Sequence, residues 1–172
     1  FNEMREVYRP LFINKTPVME FSVSTAEMIK YAANSFLALK ISFINEIANL
    51  CEAVGADVHD VASGIGKDGR ISPKFLHPGP GFGGSCFPKD IEALFALGNE
   101  KNVNLNTISA TINTNISQKK RMLKKILKLM GNEVEGKKIA VLGLSFKPNT
   151  DDIRESPSQF LISSLINLKA QI

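Results

Sequence analysis

The chain has 172 residues, 44% apolar and 22% charged, with 21 Lys and Arg against 17 Asp and Glu for a net charge of +4. That balance is ordinary for a soluble globular protein of one domain, or one domain and part of another, and is too mild to mark a nucleic-acid binder. No apolar run approaches the roughly 20 residues a membrane span needs, and no charged-then-apolar leader opens the chain.

Residues 1–12, "FNEMREVYRPLF", read as a short helix ending near Pro10, followed by a loop. Val18–Phe21 is expected to form a short strand. Ser24 and Glu27 form a capping-box pattern before a long helical stretch that Gly55 stops. A helix of about 30 residues would run about 45 Å. Its stripe of Ile29, Ala33, Phe36, Phe43, Ile47 and Cys51 is joined by Leu37, Leu39, Ile41 and Ile44 on other faces. Such a helix is buried on several sides, as the spine of a domain or as a subunit interface. Asp57 then caps a short helix through Ala62, and "SGIGKDGRISPKF" is a loop with an Asp68-Gly69 turn.

The segment "HPGPGFGGSCFPKD", residues 77–90, packs glycine and proline ahead of Cys86 and places Pro88 in the first turn of a helix through Leu97. "NLNTISATINTNISQKKRMLKKILKLMGN" is a second long helix, weakened by its Asn and Thr residues and closed by Gly131. Its Lys120, Lys124 and Lys128 alternate with Met122, Leu123, Ile126, Leu127 and Met130, which makes a solvated basic face over an apolar stripe. No aromatic residues interleave with those lysines to stack bases.

Composition changes at Asn132. The run Ile139–Leu142 before a glycine reads as a buried parallel strand entering a turn, and the next segment is a helix with Pro157 in its first turn. The fold class expected is therefore mainly α: a long-helix central domain over 23–131, preceded over 1–22 by the end of an N-terminal domain or a linker. Residues 132–172 follow as the first β-α unit of a truncated Rossmann-like domain. A start at Phe1 and a stop at Ile172 within a helical pattern read as an excised piece of a longer protein.

Two cysteines 35 positions apart, with no CxxC pair, give neither a zinc site nor a disulfide framework, and a reducing cytoplasm is the simplest setting. Cys51 sits within apolar periodicity and reads as core. Cys86 sits among glycines at a helix N-terminus, where the dipole and free N–H groups favour thiolate; it reads as a nucleophile for a carbonyl carbon. Lys89 and Asp90 fall within one turn of it. Lys30 and Asn34, at i and i+4 in an apolar stretch, are expected to aim a buried ammonium and an amide at one developing oxyanion. Arg70, Lys74, Lys147, Asp151, Asp152 and Arg154 are loop-borne. Phosphate binding by the basic ones and plain solvation remain equally open. Gly143 lacks the further glycines of a dinucleotide fingerprint, and His59 and His77 have no metal-ligand spacing, so both are assigned structural roles.

Taken together and in order, "AEMIKYAANSFLALKISFINE", "GRISPKFLHPGPG", "GFGGSCFPKD" and "LGLSFKPNTDDIRESP" closely resemble the UDP-glucose 6-dehydrogenase family, whose relatives oxidise GDP-mannose and UDP-N-acetylmannosamine. The resemblance covers about residues 8–165. It implies a two-step, NAD-dependent oxidation at a sugar C6, through an aldehyde captured as a thiohemiacetal and a thioester, to the uronate. Mapped by motif, it implies Cys86 as nucleophile, Asp90 as the carboxylate assisting water and proton transfer, Lys30 as acid/base and oxyanion stabiliser, and Asn34 as its partner. It implies Phe75, Leu76 and Gly83 in the sugar-nucleotide pocket, and Arg70 reaching into the neighbouring subunit of a homodimer built on the long helix. Lys147 and Arg154 are implied at the substrate and cofactor clefts. Ser85 stands where the UDP-N-acetylmannosamine branch has histidine, which favours UDP-glucose, while the GDP-mannose branch also carries "GGSC". The N-terminal dinucleotide-binding domain and most of the C-terminal domain are absent, so the resemblance implies an enzyme as parent and an inactive fragment here. Dehydrogenases of the 6-phosphogluconate type share a Lys-x-x-x-Asn helix but need no cysteine. A non-catalytic dimerisation module would be expected to lack Cys86, Lys30 or Asp90, and all three are present.

Overall fold

The computed structural model describes residues 1–11 and 18–172. It comprises two compact units, Phe1–Lys30 and Tyr31–Ile172, and the described helices are α1 (Asn2–Tyr8), α2 (Val23–Val54), α3 (Val58–Gly66), α4 (Phe87–Glu100), α5 (Asn106–Leu129) and α6 (Pro157–Asn167). None of them is long and apolar enough to cross a membrane.

In the first unit α1 runs into a 3-10 turn at Arg9–Leu11, and Arg5 pairs with Glu20 at 2.9 Å. Two expectations fail here. Val18–Phe21 is not a strand, and the capping box at Ser24 and Glu27 does not form. The cap lies two residues earlier, where the Ser22 hydroxyl accepts from the Thr25 N–H and the Ser22 carbonyl accepts from the Ala26 N–H. The helix begins as soon as a side chain can satisfy its first free donors, and Ser22 is the first that can. The loop expected over 12–17 lies outside the described residues.

The second unit is built on the remainder of α2, a 32-residue helix with neither Gly nor Pro in it. It stops because Gly55 takes φ +75°, which lets the Ala56 N–H reach back to the Cys51 carbonyl at 3.0 Å. Within this chain α2 buries Ser35, Ala38, Ser42, Ile44, Asn45 and Cys51, which together span more than half of its circumference. Phe36, Phe43 and Leu50, spaced by seven, are all exposed. The helix is thus buried on more than one side, as expected, and keeps one exposed apolar row.

Asp57 caps α3 as expected, accepting from the His59 N–H at 2.7 Å. The helix continues to Gly66, one turn beyond the expected stop at Ala62. Its last turn packs on Pro73, with the Pro73 Cα 3.0 Å from where a Gly66 Cβ would lie. Ala38 of α2, Phe82 and Ile91 of α4 form a buried core ringed by Ile41, Phe87, Ile108 and Ile112. The glycine-rich loop is thus part of the core between α2, α4 and α5.

The apolar stripe of α5 packs Leu123, Ile126, Leu127 and Met130 onto Val134, Leu165 of α6 and Ala170, while Lys120, Lys124 and Lys128 stay exposed. The strand expected at Ile139–Leu142 does not form. The segment makes a single parallel bridge, Lys138 to Gln171, and Leu142 is 95% exposed. A buried parallel strand needs neighbours along its length. Among the described residues the run's backbone pairing is limited to the Gln171 region, while Ile139 packs on Val134, Leu165 and Ala170.

Candidate active site

Cys86 is the N-cap of α4, and its exposed thiol stands 3.8 Å from the Ser85 hydroxyl. Pro88 fits the first turn, where an N–H would have no helical partner, and the first helical bond runs from the Asp90 N–H to the Cys86 carbonyl at 2.9 Å. That bond fixes Asp90 one turn behind the thiol. The Asp90 residue is 0% exposed, and its Oδ2 accepts from Asn34 Nδ2 of α2 at 2.6 Å. Lys89 Nζ lies 3.8 Å from the other oxygen. Burying a carboxylate this far is costly without such neighbours.

The thiol opens on a cavity of about 470 Å³ lined by Phe75, Phe82, Gly83, Cys86, Phe146 and Lys147 among others. The Phe87 ring lies 6.0 Å from Phe75 and 6.0 Å from Phe82, edge-on to the latter, so three aromatic rings brace one wall. Lys147 Nζ sits 5.3 Å above the Phe146 ring, close enough for a cation–π contact.

Segment 143–156 closes onto this loop. The Gly84 N–H donates to the Arg154 carbonyl at 2.8 Å, and Gly84 takes φ +86° with the Phe146 ring 2.7 Å from where a Cβ would stand. Arg154 grips Asp152 with two parallel hydrogen bonds of 2.9 and 2.8 Å. Chiefly by that bond, with the Arg154 backbone N–H and Ser85 adding to it, the Asp152 carboxyl is held down to about 2. Arg154 is pushed above its usual range mainly by Asp152, and the Cys86 charge contributes to the same shift. Lys119 of α5 donates to the Glu155 carbonyl at 3.0 Å. Burial pulls its ammonium down, an effect that the charge of Glu155 opposes.

What holds the loop is a set of amides, one of which, Asn115, sequence reasoning counted only among the residues that weaken α5. Asn115 is bound twice to Phe82, accepting its N–H at 2.8 Å and donating to its carbonyl at 3.1 Å. Gln118 donates to the Gly79 carbonyl at 2.8 Å, and Asn45 of α2 accepts from the Gly79 N–H at 2.7 Å. The available signal was the spacing of Thr111, Asn115 and Gln118, three polar residues sharing one helical row beside Ile108 and Ile112. Asn115→Ala would leave two buried backbone groups without partners. It is expected to cost the intact protein about 2–4 kcal/mol, read as a lowered urea midpoint at unchanged slope.

The site residues anticipated from sequence therefore fall into groups. Cys86, Phe75, Gly83 and Lys147 share the cavity, Asn34 and Asp90 are bonded to each other, and Arg154 sits against the Cys86 loop. Leu76 is buried at 3% exposure and is not part of the cavity wall. Arg70 is bound to Asp68 on an exposed loop, and its guanidinium holds the Asp68 carboxyl below the usual range. Lys30, expected to be buried, is exposed in the first unit. His77, assigned a structural role, lines the cavity, while Cys51 is buried as expected. No cluster of metal-ligating side chains exists among the described residues.

Residues 24–117 match the central domain of the UDP-glucose/GDP-mannose dehydrogenase family, and residues 140–172 match the UDP binding domain of the same family. The chain is 52% identical over 169 residues to a UDP-glucose 6-dehydrogenase of Rhizobium meliloti, covering 98% of this chain and 39% of that protein. It is 50% identical over 169 residues to UDP-glucose 6-dehydrogenase TuaD of Bacillus subtilis, covering 98% of this chain and 36% of that one. A solved UDP-glucose dehydrogenase of the archaeon Pyrobaculum islandicum superposes with a TM-score of 0.91 at 36% identity, covering 98% of this chain and 38% of that one. The chain spans less than two fifths of the length of these relatives. The matches to both domains and the helical architecture lead to one assignment: this chain belongs to the UDP-glucose/GDP-mannose dehydrogenase family.

Proposed function

We propose that the chain is the central part of a nucleotide-sugar dehydrogenase that oxidises UDP-glucose to UDP-glucuronate through a covalent cysteine intermediate. The observation that carries the reading is Cys86: an exposed thiol at a helix N-terminus, opening on a 470 Å³ cavity with Asp90 buried one turn behind it. A core cysteine has no use for that position.

In this reading NAD, when bound, accepts one hydride in each of two steps. The group on this chain best suited to a dinucleotide phosphate is Arg154, whose side chain is 69% exposed while anchored to Asp152. The rest of a dinucleotide site would come from outside the chain. Loss of a hydride and a proton at C6 gives an aldehyde. The Cys86 thiolate adds to its carbon, forming a C–S bond and an oxyanion that takes up a proton as the thiohemiacetal. A second loss of hydride and proton gives the thioester. Water then adds to the carbonyl, the C–S bond breaks, and uronate and free thiol leave. Asp90 would take the proton from that water, since its carboxylate is fixed by Asn34 on the Cys86 side of α4. Lys30 would shuttle the proton of the C6 oxygen and stabilise the oxyanion, in the role its motif position carries. Lys147, beside the cavity, suits the diphosphate, and Phe75 and Gly83 shape the sugar end. Leu76 would support that wall from behind. Phe36, Phe43 and Leu50 form an apolar row that a second copy of α2 would cover, giving a homodimer in which Arg70 reaches the neighbour's site. On its own the chain would be inactive, with half of the site missing.

The full-length parent would be treated with a thiol-specific probe across pH, with and without UDP-glucose, and the label mapped by mass spectrometry. Fast labelling of Cys86 at neutral pH, blocked by UDP-glucose, is expected. Protection by GDP-mannose instead would transfer the reading to that substrate. Labelling as slow as that of Cys51, and indifferent to either sugar, would leave Cys86 structural.

A further inference from the structure

The loop 67–76 between α3 and the glycine segment is held in an unusual way. Ser72 and Phe75 both take φ +64°, in the left-handed region that non-glycine residues enter only when their surroundings hold them there. Three carbonyls of this loop, those of Ile71, Ser72 and Lys74, turn toward one point. There Lys40 of α2 donates to Ile71 at 2.8 Å, to Ser72 at 3.1 Å and to Lys74. An ammonium has three N–H donors, so all of them are used on this loop.

Phe75 is the residue this conformation delivers. Its ring lines the cavity beside Cys86 and rests 6.0 Å from Phe87, the residue that follows the thiol. Asp68 accepts at its carbonyl from the Ile71 and Ser72 N–H groups, and Pro73 abuts Gly66, so both are local tethers. Lys40 is the tether from outside the loop whose bonds bracket Ser72 and end next to Phe75. Nothing in the spacing of Leu39, Lys40 and Ile41 marks Lys40 as other than a surface lysine. It is identified by the convergence of the carbonyls.

We propose that Lys40 is a positioning residue: it holds loop 71–75 so that the Phe75 ring forms the cavity wall against which the substrate docks. The proposal rests on the reading of this cavity as a nucleotide-sugar site. Lys40 acts through Phe75 on binding of the substrate and does not touch the reacting carbon. Its loss therefore weakens occupancy of the pocket more than the chemistry within it.

In the full-length parent, Lys40→Met, which removes three hydrogen bonds to the loop, is expected to raise the KM for UDP-glucose about tenfold or more with kcat within about threefold. Amide exchange over 71–76 should accelerate while the thermal midpoint of the whole protein holds. Lys40→Arg, which keeps donors for at least two of the carbonyls, should recover KM to within about threefold. Accelerated exchange with an unchanged KM would make Lys40 a structural tether only, and so would a fall in kcat and midpoint together; either overturns the proposal. Cys86 labelling separates the two ideas. Wild-type protein that UDP-glucose fails to protect sinks the reading of the site. Wild type and Lys40→Met protected at the same UDP-glucose concentration sink only the role of Lys40.

Discussion

Cys86→Ser in the full-length parent is expected to abolish formation of the uronic acid while leaving the oligomer intact. The substitution changes one atom at an exposed N-cap, where serine caps at least as well as cysteine, so folding has no reason to suffer. The chemistry does. A hydroxyl is far less ionised than a thiol near neutral pH, and only the thiolate adds readily to the aldehyde carbon. Loss of a covalent nucleophile costs on the order of 10⁴-fold or more in turnover. Mass spectrometry of the products and size-exclusion chromatography of the variant test the two halves separately. Uronate formed at the normal rate would end the covalent mechanism, and loss of the oligomer would make Cys86 structural.

Gly83→Ala carries the largest expected effect on stability. Gly83 has no positive φ, so an alanine meets no conformational barrier of its own. The obstacle is space. A Cβ there would lie 2.1 Å from the Glu155 carbonyl oxygen and 2.6 Å from its carbon, and both atoms are backbone. At Gly84 the nearest atoms belong to the tip of the Phe146 ring, which can swing away. At Gly83 relief requires parting segment 143–156 from the Cys86 loop, against the Gly84–Arg154 and Lys119–Glu155 hydrogen bonds. Overpacking costs about 1–3 kcal/mol where side chains can yield, and backbone against backbone belongs at or above the top of that range. The urea midpoint should fall, and Arg154 should leave the neighbourhood of the thiol. An unchanged midpoint would mean that the two segments are not in contact in solution.

Much of this was legible in the chain itself. Helices declare themselves by period and by their ends, and Gly55, Asp57, Pro88, Gly131 and Pro157 each stand where the residues foretold. Cys86 stood out as a candidate because a cysteine between glycines and a helix start has no packing explanation, and the structure places it at the N-cap of α4 on the cavity. Three things were not. The strand at Ile139–Leu142 depends on neighbours, which period cannot supply. The burial of Lys30 was inferred from its apolar neighbours in sequence, whereas exposure depends on which elements pack on that turn. Of the amide set Asn45, Asn115 and Gln118, only Asn115 was weighed at all, as a poor helix former, because propensity scores each residue alone. Their value lies in bonds to the Gly79 and Phe82 backbone, more than 30 positions away.

One helix touches the site at every level. From α2, Asn34 reaches Asp90, Lys40 reaches the 71–74 carbonyls, Asn45 reaches Gly79 and Asn49 reaches Gln118, over about four turns of a rod without Gly or Pro. These attachments share a single register, like the teeth of a comb. Inserting one residue between Asn34 and Lys40 would turn everything beyond it by about 100° and advance it by about 1.5 Å. The carboxylate would be severed from the cavity wall and the glycine loop in one event. A side chain can be changed at one attachment alone, but the spacing between attachments moves all together or not at all.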